Sequence, residues 1–283
     1  MESEFFGSPD QQAVLARGLA LYDLLCDHPA MTYYGRGVGV LWGAPGALDL
    51  MARLATVQGV SNCSFIPDAN VPALRADLEA DGYSITHYAA WEGSADALTA
   101  ADRILDAHAP AEDISVHVID AKSPASHSQA LADVSLDAGV LPVAGCILRG
   151  QRRPAVSVVA LDGKGHGVSC AAAATYAHPD HPEFGKVAWW GMLATRPDRK
   201  GERLALILGA IALREMQRRH GIERFFTGVT PGNAASEAVC RRSGFAPRGP
   251  VHHLAGRSAR SAGRQADEVN AIRPLPVEMD HHT

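Results

Sequence analysis

Val187–Thr195 reads Val-Ala-Trp-Trp-Gly-Met-Leu-Ala-Thr, an apolar run that stops at Arg196-Pro197-Asp198 and hands over to a helix expected over about 202–220. Leu204, Ile207, Leu208 and Ile211 fall on one face of that helix, so it must pack on something apolar. Arg218, Arg219 and His220 close its last turn and Gly221 follows, which suits the negative end of a helix and a left-handed cap. A strand therefore feeds a helix through a short turn that is basic and contains glycine. Backbone N–H groups at a helix start have no partner, and the helix dipole favours an anion there. Arg199, Lys200 and Arg203 stand at that same end, where cations are unfavourable unless something negative offsets them. A phosphate-bearing ligand is the simplest candidate; a solvated basic turn is the bland alternative. No GxxxxGK[ST] is present, so a Walker-type nucleotide loop is not supported.

The rest of the chain alternates helices and strands in the same way, which makes the expected fold class α/β (α+β). Helices are expected over 10–27, 46–57 and 71–80, and strands over 38–42, 62–66 and 83–91. A polar, alanine-rich connection follows Glu92-Gly93-Ser94, and a domain boundary is placed in it, giving units 1–112 and 113–283. The second unit opens with a strand over 114–119 and a helix over 123–136, with Ser123 or Ser126 as its cap. Strands over 155–161 and 168–176 flank Asp162-Gly163-Lys164-Gly165-His166-Gly167, which reads as a hairpin turn because it joins strand to strand. Gly35-Arg36-Gly37-Val38-Gly39 likewise leads into a strand, not out of one. A strand over 225–229 and a helix ending near Arg242 complete the pattern.

Of 283 residues, 47% are hydrophobic and 20% charged, with a net charge of −5. That balance argues against broad nucleic-acid binding, which needs a basic face. No apolar run suggests a membrane span, and the acidic N-terminus lacks the basic start of a secretory signal. The five cysteines are widely spaced and form neither a disulfide framework nor a CxxC site. A cytoplasmic location is the economical expectation. His178 and His181 flank a proline-rich loop with no completing ligand set, so no metal is expected; His281 and His282 sit in a polar tail.

The strand, Pro197 and the loop Arg199-Lys200-Gly201-Glu202-Arg203-Leu204-Ala205 resemble motif A of the GNAT N-acetyltransferase superfamily. There a Pro-x-x-Arg-Gly-x-Gly-x-Gly/Ala loop holds the pyrophosphate of acetyl-CoA. Lys200 stands for the usual Arg or Gln, and Arg203 for the middle Gly. Asn233, a helix, and then Gly244-Phe245 are similar to the family's motif B at its spacing. The resemblance covers roughly 113–255. It implies a GNAT-like mixed sheet flanked by helices, splayed between the strand over 187–195 and that over 225–229. Acetyl-CoA would be the co-substrate, its pantetheine paired along Met192, Leu193, Ala194 and Thr195, with Asn233 and Ser236 also at the cofactor. A backbone N–H near Met192 or Leu193 would polarise the thioester carbonyl.

Many relatives carry a tyrosine seven residues after the motif asparagine, thought to protonate the leaving thiolate. Cys240 stands there, either as a thiol acid or as a small buried helix residue; Ser236 is another donor. No acidic residue lies on the strand where some relatives place a base, so Glu183, His178 and His181 are candidates by proximity. Of Trp189 and Trp190, which must face opposite ways, one is assigned to the core and the other to the acceptor pocket. In the first unit, Ile66-Pro67-Asp68-Ala69-Asn70, a helix and Gly82-Tyr83 parallel motif B with a one-residue difference. It is therefore read as a degenerate second copy in tandem, or as an unrelated α/β cap. Its turn Gly43-Ala44-Pro45-Gly46 has no basic residue, so a single working site is expected. The chain is thus expected to acetylate an amine of a small molecule or peptide. The alternatives are a catalytically silent acyl-CoA-binding sensor and a transferase for a longer acyl or aminoacyl donor. A homodimer is also open to it.

Overall fold

In a computed structural model, residues 4–258 are described; His281 and His282 lie outside them. The strands β5 (Ser115–Ile119), β6 (Ala155–Leu161), β7 (Gly167–Thr175) and β8 (Val187–Thr195) form an antiparallel meander. Nearly every residue of β6 and β7 is buried, because both faces are covered: α5 (Ala125–Asp137) packs on one and α7 (Leu204–His220) on the other. A doubly covered strand reads as a continuous apolar run, not as an alternation. The crossover helix α7 then returns the chain to β9 (Arg224–Val229), parallel to β8.

The N-terminal half repeats this logic. Helix α1 (Pro9–Leu25) starts in a capping box in which Ser8 and Gln11 satisfy each other's amides. After β1 (Met31–Thr32) and β2 (Gly39–Leu41), helix α2 (Ala47–Gln58) crosses over to β3 (Val60–Pro67), parallel to β2. In both halves a helix and an antiparallel strand follow: α3 (Val71–Ala80) with β4 (Tyr83–Gly93), and α8 (Ala234–Arg242) with β10 (Ala246–Ser258). These last strands change places. β10 lies between β3 and β4, and β4 lies between β10 and β9, so ten strands form one sheet in the order β1-β2-β3-β10-β4-β9-β8-β7-β6-β5.

The alanine-rich stretch after Gly93, expected as a connection, is the helix α4 (Ala95–Ala107). It buries Ala97, Leu98, Ala101 and Ile104 against α7. β10, β1 and the short α6 (Gly145–Leu148) were not expected from periodicity. Neither Ser123 nor Ser126 caps α5, which follows Pro124; the Ser123 hydroxyl instead donates to Asp120 at 3.1 Å in the preceding turn. The β6–β7 connection is a tight turn as expected, its Asp162 carboxylate accepting from the amides of Lys164 and His166, each at 3.0 Å.

Gly244 ends α8 at φ +76°, and a Cβ added there would meet the Asp96 carbonyl oxygen at 2.5 Å. Gly244→Ala therefore combines left-handed strain with an overpacked α8–α4 junction. Its expected cost is about 2–4 kcal/mol of stability, to be read from urea unfolding.

Candidate active site

β8 and β9 pair only at Val187 with Arg224, Ala188 with Phe225 and Trp189 with Phe226. Beyond those residues the two strands have no shared ladder, so a wedge opens in the middle of the sheet. β8 also bulges on its other side: Ala172 and Cys170 face Gly191 and Ala194, leaving Met192 and Leu193 opposite Ala171 alone. Met192 adopts φ +55°, and its carbonyl accepts from the Cys170 thiol at 3.1 Å. Bulges of this kind re-aim the backbone beside a site.

A cavity of about 360 Å³ fills the wedge. Met192 and Leu193 of β8, Ala205 of α7, and Ser236 and Cys240 of α8 all line it, so the structure brings five of the expected residues together. Trp190 is wholly buried, stacks on Phe245 at 4.6 Å, and donates from Nε1 to the Gly209 carbonyl at 3.1 Å. Trp189 faces the other way, with its ring 4.6 Å from that of Tyr34.

At the mouth stands the basic turn. Lys200 is extended, Gly201 has φ +90°, and Arg203 takes the left-handed conformation at φ +61° as the cap of α7, which is why the helix begins at Leu204 and not at 202. Among the described residues no side chain caps that helix start, so its first amides remain available to an anion. Arg199 differs from its expected part. Its guanidinium spans both oxygens of Asp113 at 2.8 and 3.1 Å and both of Glu202 at 2.7 and 3.0 Å. These carboxylates raise the Arg199 pKa, and Arg199 in turn lowers that of Asp113. Arg199 and Glu202 therefore brace the loop, while Lys200 and Arg203 make no ion pair among the described residues. A second depression, of about 580 Å³, adjoins the start of α7 and is lined by Arg103, His108, Arg203, Arg241 and Arg242.

The remaining expected residues are placed as follows. Ala194 accepts from the Ser169 hydroxyl at 2.8 Å, and the Thr195 hydroxyl lies 3.0 Å from that of Ser169. Leu204 is core. Asn233 caps α8, its Oδ1 accepting from the Ser236 amide at 3.1 Å; Asn70, its counterpart in the first half, makes no cap bond. Glu183 is not at the cavity: its carboxylate pairs with Arg248 at 3.0 Å on the surface. His178 and His181 accept from nearby loop amides and are equally outside it.

Cys240 does line the cavity, but burial pushes its thiol up to about 12. Delivering that proton to an ordinary thiolate with a pKa near ~8.5 is uphill by roughly 4–5 kcal/mol, which weighs against Cys240 as the acid. Cys240→Ala should leave acetyl-dependent thiol release within about threefold of the parent.

Sequence reasoning missed several polar lining residues, among them Tyr34, Arg36, Asn62, Ser64 and Tyr88 from the first half, and His253 on β10. The Tyr176 hydroxyl, also in the wall, donates to Asn62 Oδ1 at 2.7 Å and meets the Ser64 hydroxyl. Burial raises Tyr88 to about 12. His253 lies 5.0 Å from the Phe65 ring and 5.3 Å from that of Phe226. None of these carries a local sequence signal, since they come together only through pairing between distant strands.

Residues 133–245 match the model of the acetyltransferase (GNAT) family. That segment, which holds the wedge, the basic turn and the asparagine-capped helix, is a domain of this family. Among solved structures, a GCN5-related N-acetyltransferase from Kribbella flavida aligns at 16% identity over 78% of each chain, with a TM-score of 0.51. A Drosophila protein aligns at 14% identity over 81% of this chain and 73% of its own, also at 0.51. A tandem GNAT protein from the clavulanic acid biosynthesis pathway aligns at 16% identity over 76% of this chain and 70% of its own, at 0.46. No curated protein sequence matches. Among the described residues no helix is long and apolar enough to cross a membrane.

Proposed function

We propose that the chain transfers an acetyl group from acetyl-CoA to an amine. The observation that carries this is the open β8–β9 wedge with the uncapped start of α7 at its mouth. Pyrophosphate would sit on the amides after Gly201, with Lys200 and Arg203 supplying charge. The 3′-phosphate end would lie toward Arg103 and Arg242. Pantetheine would then run along β8, where the bulge at Met192 and Leu193 leaves backbone groups without a ladder partner. An N–H there would stabilise the oxyanion that forms when the amine attacks the thioester.

The attacking amine must first lose a proton. Among the described residues no carboxylate lines the cavity, and His253 is the one imidazole that does, so we assign the base to His253. The first half acts as the acceptor wall, through Tyr34, Arg36 and Tyr88. Its parallel pair, crossover helix and exchanged strand mirror those of the second half, which supports a tandem origin with one working site.

Thiol release from acetyl-CoA over a panel of amines tests the enzyme. The lack of a carboxylate among the described lining residues also fits a silent acyl-CoA sensor, and tight CoA binding with no amine-dependent release would establish that reading instead. Mass spectrometry of ligand that co-purifies with the chain separates acetyl from longer acyl donors.

A further inference from the structure

We infer that the acceptor carries a carboxylate, and that Arg36 reads it; the inference deepens the acetyl-transfer reading and rests on it. Among the described residues the cavity has no aspartate or glutamate in its lining, and Arg36 is its sole Lys or Arg. A cation within protein walls is costly to leave without a counter-charge. An acceptor with a second ammonium would be repelled there, whereas a carboxylate supplies what is missing.

Arg36 is held as a recognition group would be. Its Nε donates to the Leu141 carbonyl at 2.6 Å, and Nη1 reaches the Tyr34 hydroxyl at 3.4 Å. Nη2 is buried with no acceptor among the described residues. The guanidinium carbon lies 5.5 Å from the ring centres of both Tyr34 and Trp189. A planar fork fixed on one edge and flanked by aromatic rings, with donors unspent, suits a carboxylate.

The glycines on either side hold this segment in place. Gly35 has φ +115°, and its carbonyl accepts from the Ala144 amide at 2.8 Å. A Cβ on Gly37 would meet the Val60 carbonyl at 2.9 Å, and one on Gly18 of α1 would meet the Arg36 carbonyl at 1.9 Å. The backbone of Arg36 is thus clamped between α1 and β3, which fixes where its charge points. The neighbouring rings fit an apolar body on the same acceptor.

The test needs no turnover. The CoA-saturated full chain is titrated calorimetrically with N-acetylphenylalanine and with N-acetylphenethylamine, which has the same body without the carboxylate; the leucine and methionine pairs are run alongside. At least one acid should bind about tenfold or more tightly than its neutral partner. Arg36→Gln should erase that preference while CoA affinity stays within about twofold, which also certifies the fold; Arg36→Lys should keep part of it. Equal binding within every pair, a preference that survives in Arg36→Gln, or no binding by any of the six compounds overturns the assignment. If CoA itself fails to bind, acetyl transfer falls instead, and the same comparison on the free chain still decides the role of Arg36.

Discussion

Gly201→Asp should weaken CoA binding at least about 100-fold, or roughly 3 kcal/mol, with little loss of fold. Gly201 lies at φ +90° in the turn that opens α7, and a Cβ there meets nothing within 4 Å. The substitution therefore costs the folded chain about 1 kcal/mol of backbone strain and lowers the melting temperature by only about 2–4 °C. Its effect on the ligand is of another order. A carboxylate would stand among amides that the anion needs, opposite Lys200 and Arg203, and would both repel the pyrophosphate and neutralise those cations. Calorimetric titration with CoA, together with a melting curve of the same sample, separates the two effects. An unchanged dissociation constant would remove the phosphate role from this turn.

His253→Gln should lower kcat/KM for the best amine by about 100-fold or more, within the range expected for a lost general base. Glutamine keeps much of the imidazole's bulk between Phe65 and Phe226 but accepts no proton, so CoA affinity should hold within about twofold. The contrast with Cys240→Ala is the informative part. A thiol held near 12 is a poor proton source, and only the His253 variant should collapse the rate. Comparable rates for His253→Gln and the parent would return the imidazole to the aromatic cluster it packs in.

What could be read in the sequence was local. Apolar runs bounded by Gly, Pro and Asp gave the strands β6 and β8 at their observed limits. The basic glycine turn and the capped Asn233 helix lie where their patterns put them. Long-range pairing was not legible. Of the two carboxylates that hold Arg199, Glu202 stands in the same loop, but Asp113 is 86 positions away and gives no local signal. β10 was hidden because Pro247, Gly249 and Pro250 are poor strand formers; it exists because β3 and β4 both pair with it. Glu183 was nominated for its nearness in sequence to β8, yet the loop turns it outward to Arg248. The first half's share of the cavity wall was invisible for the same reason, since Arg36, Tyr88 and His253 line one cavity only once the two halves share a sheet.

The most direct measurement is release of free CoA from acetyl-CoA by the purified full chain over a panel of carboxylated and decarboxylated amines, with the acylated product identified by mass. Acetyl transfer in the wedge predicts amine-dependent release matched mole for mole by acetylated amine, and its loss in Gly201→Asp. Tight CoA binding with no release above the amine-free rate for any member of the panel would contradict it.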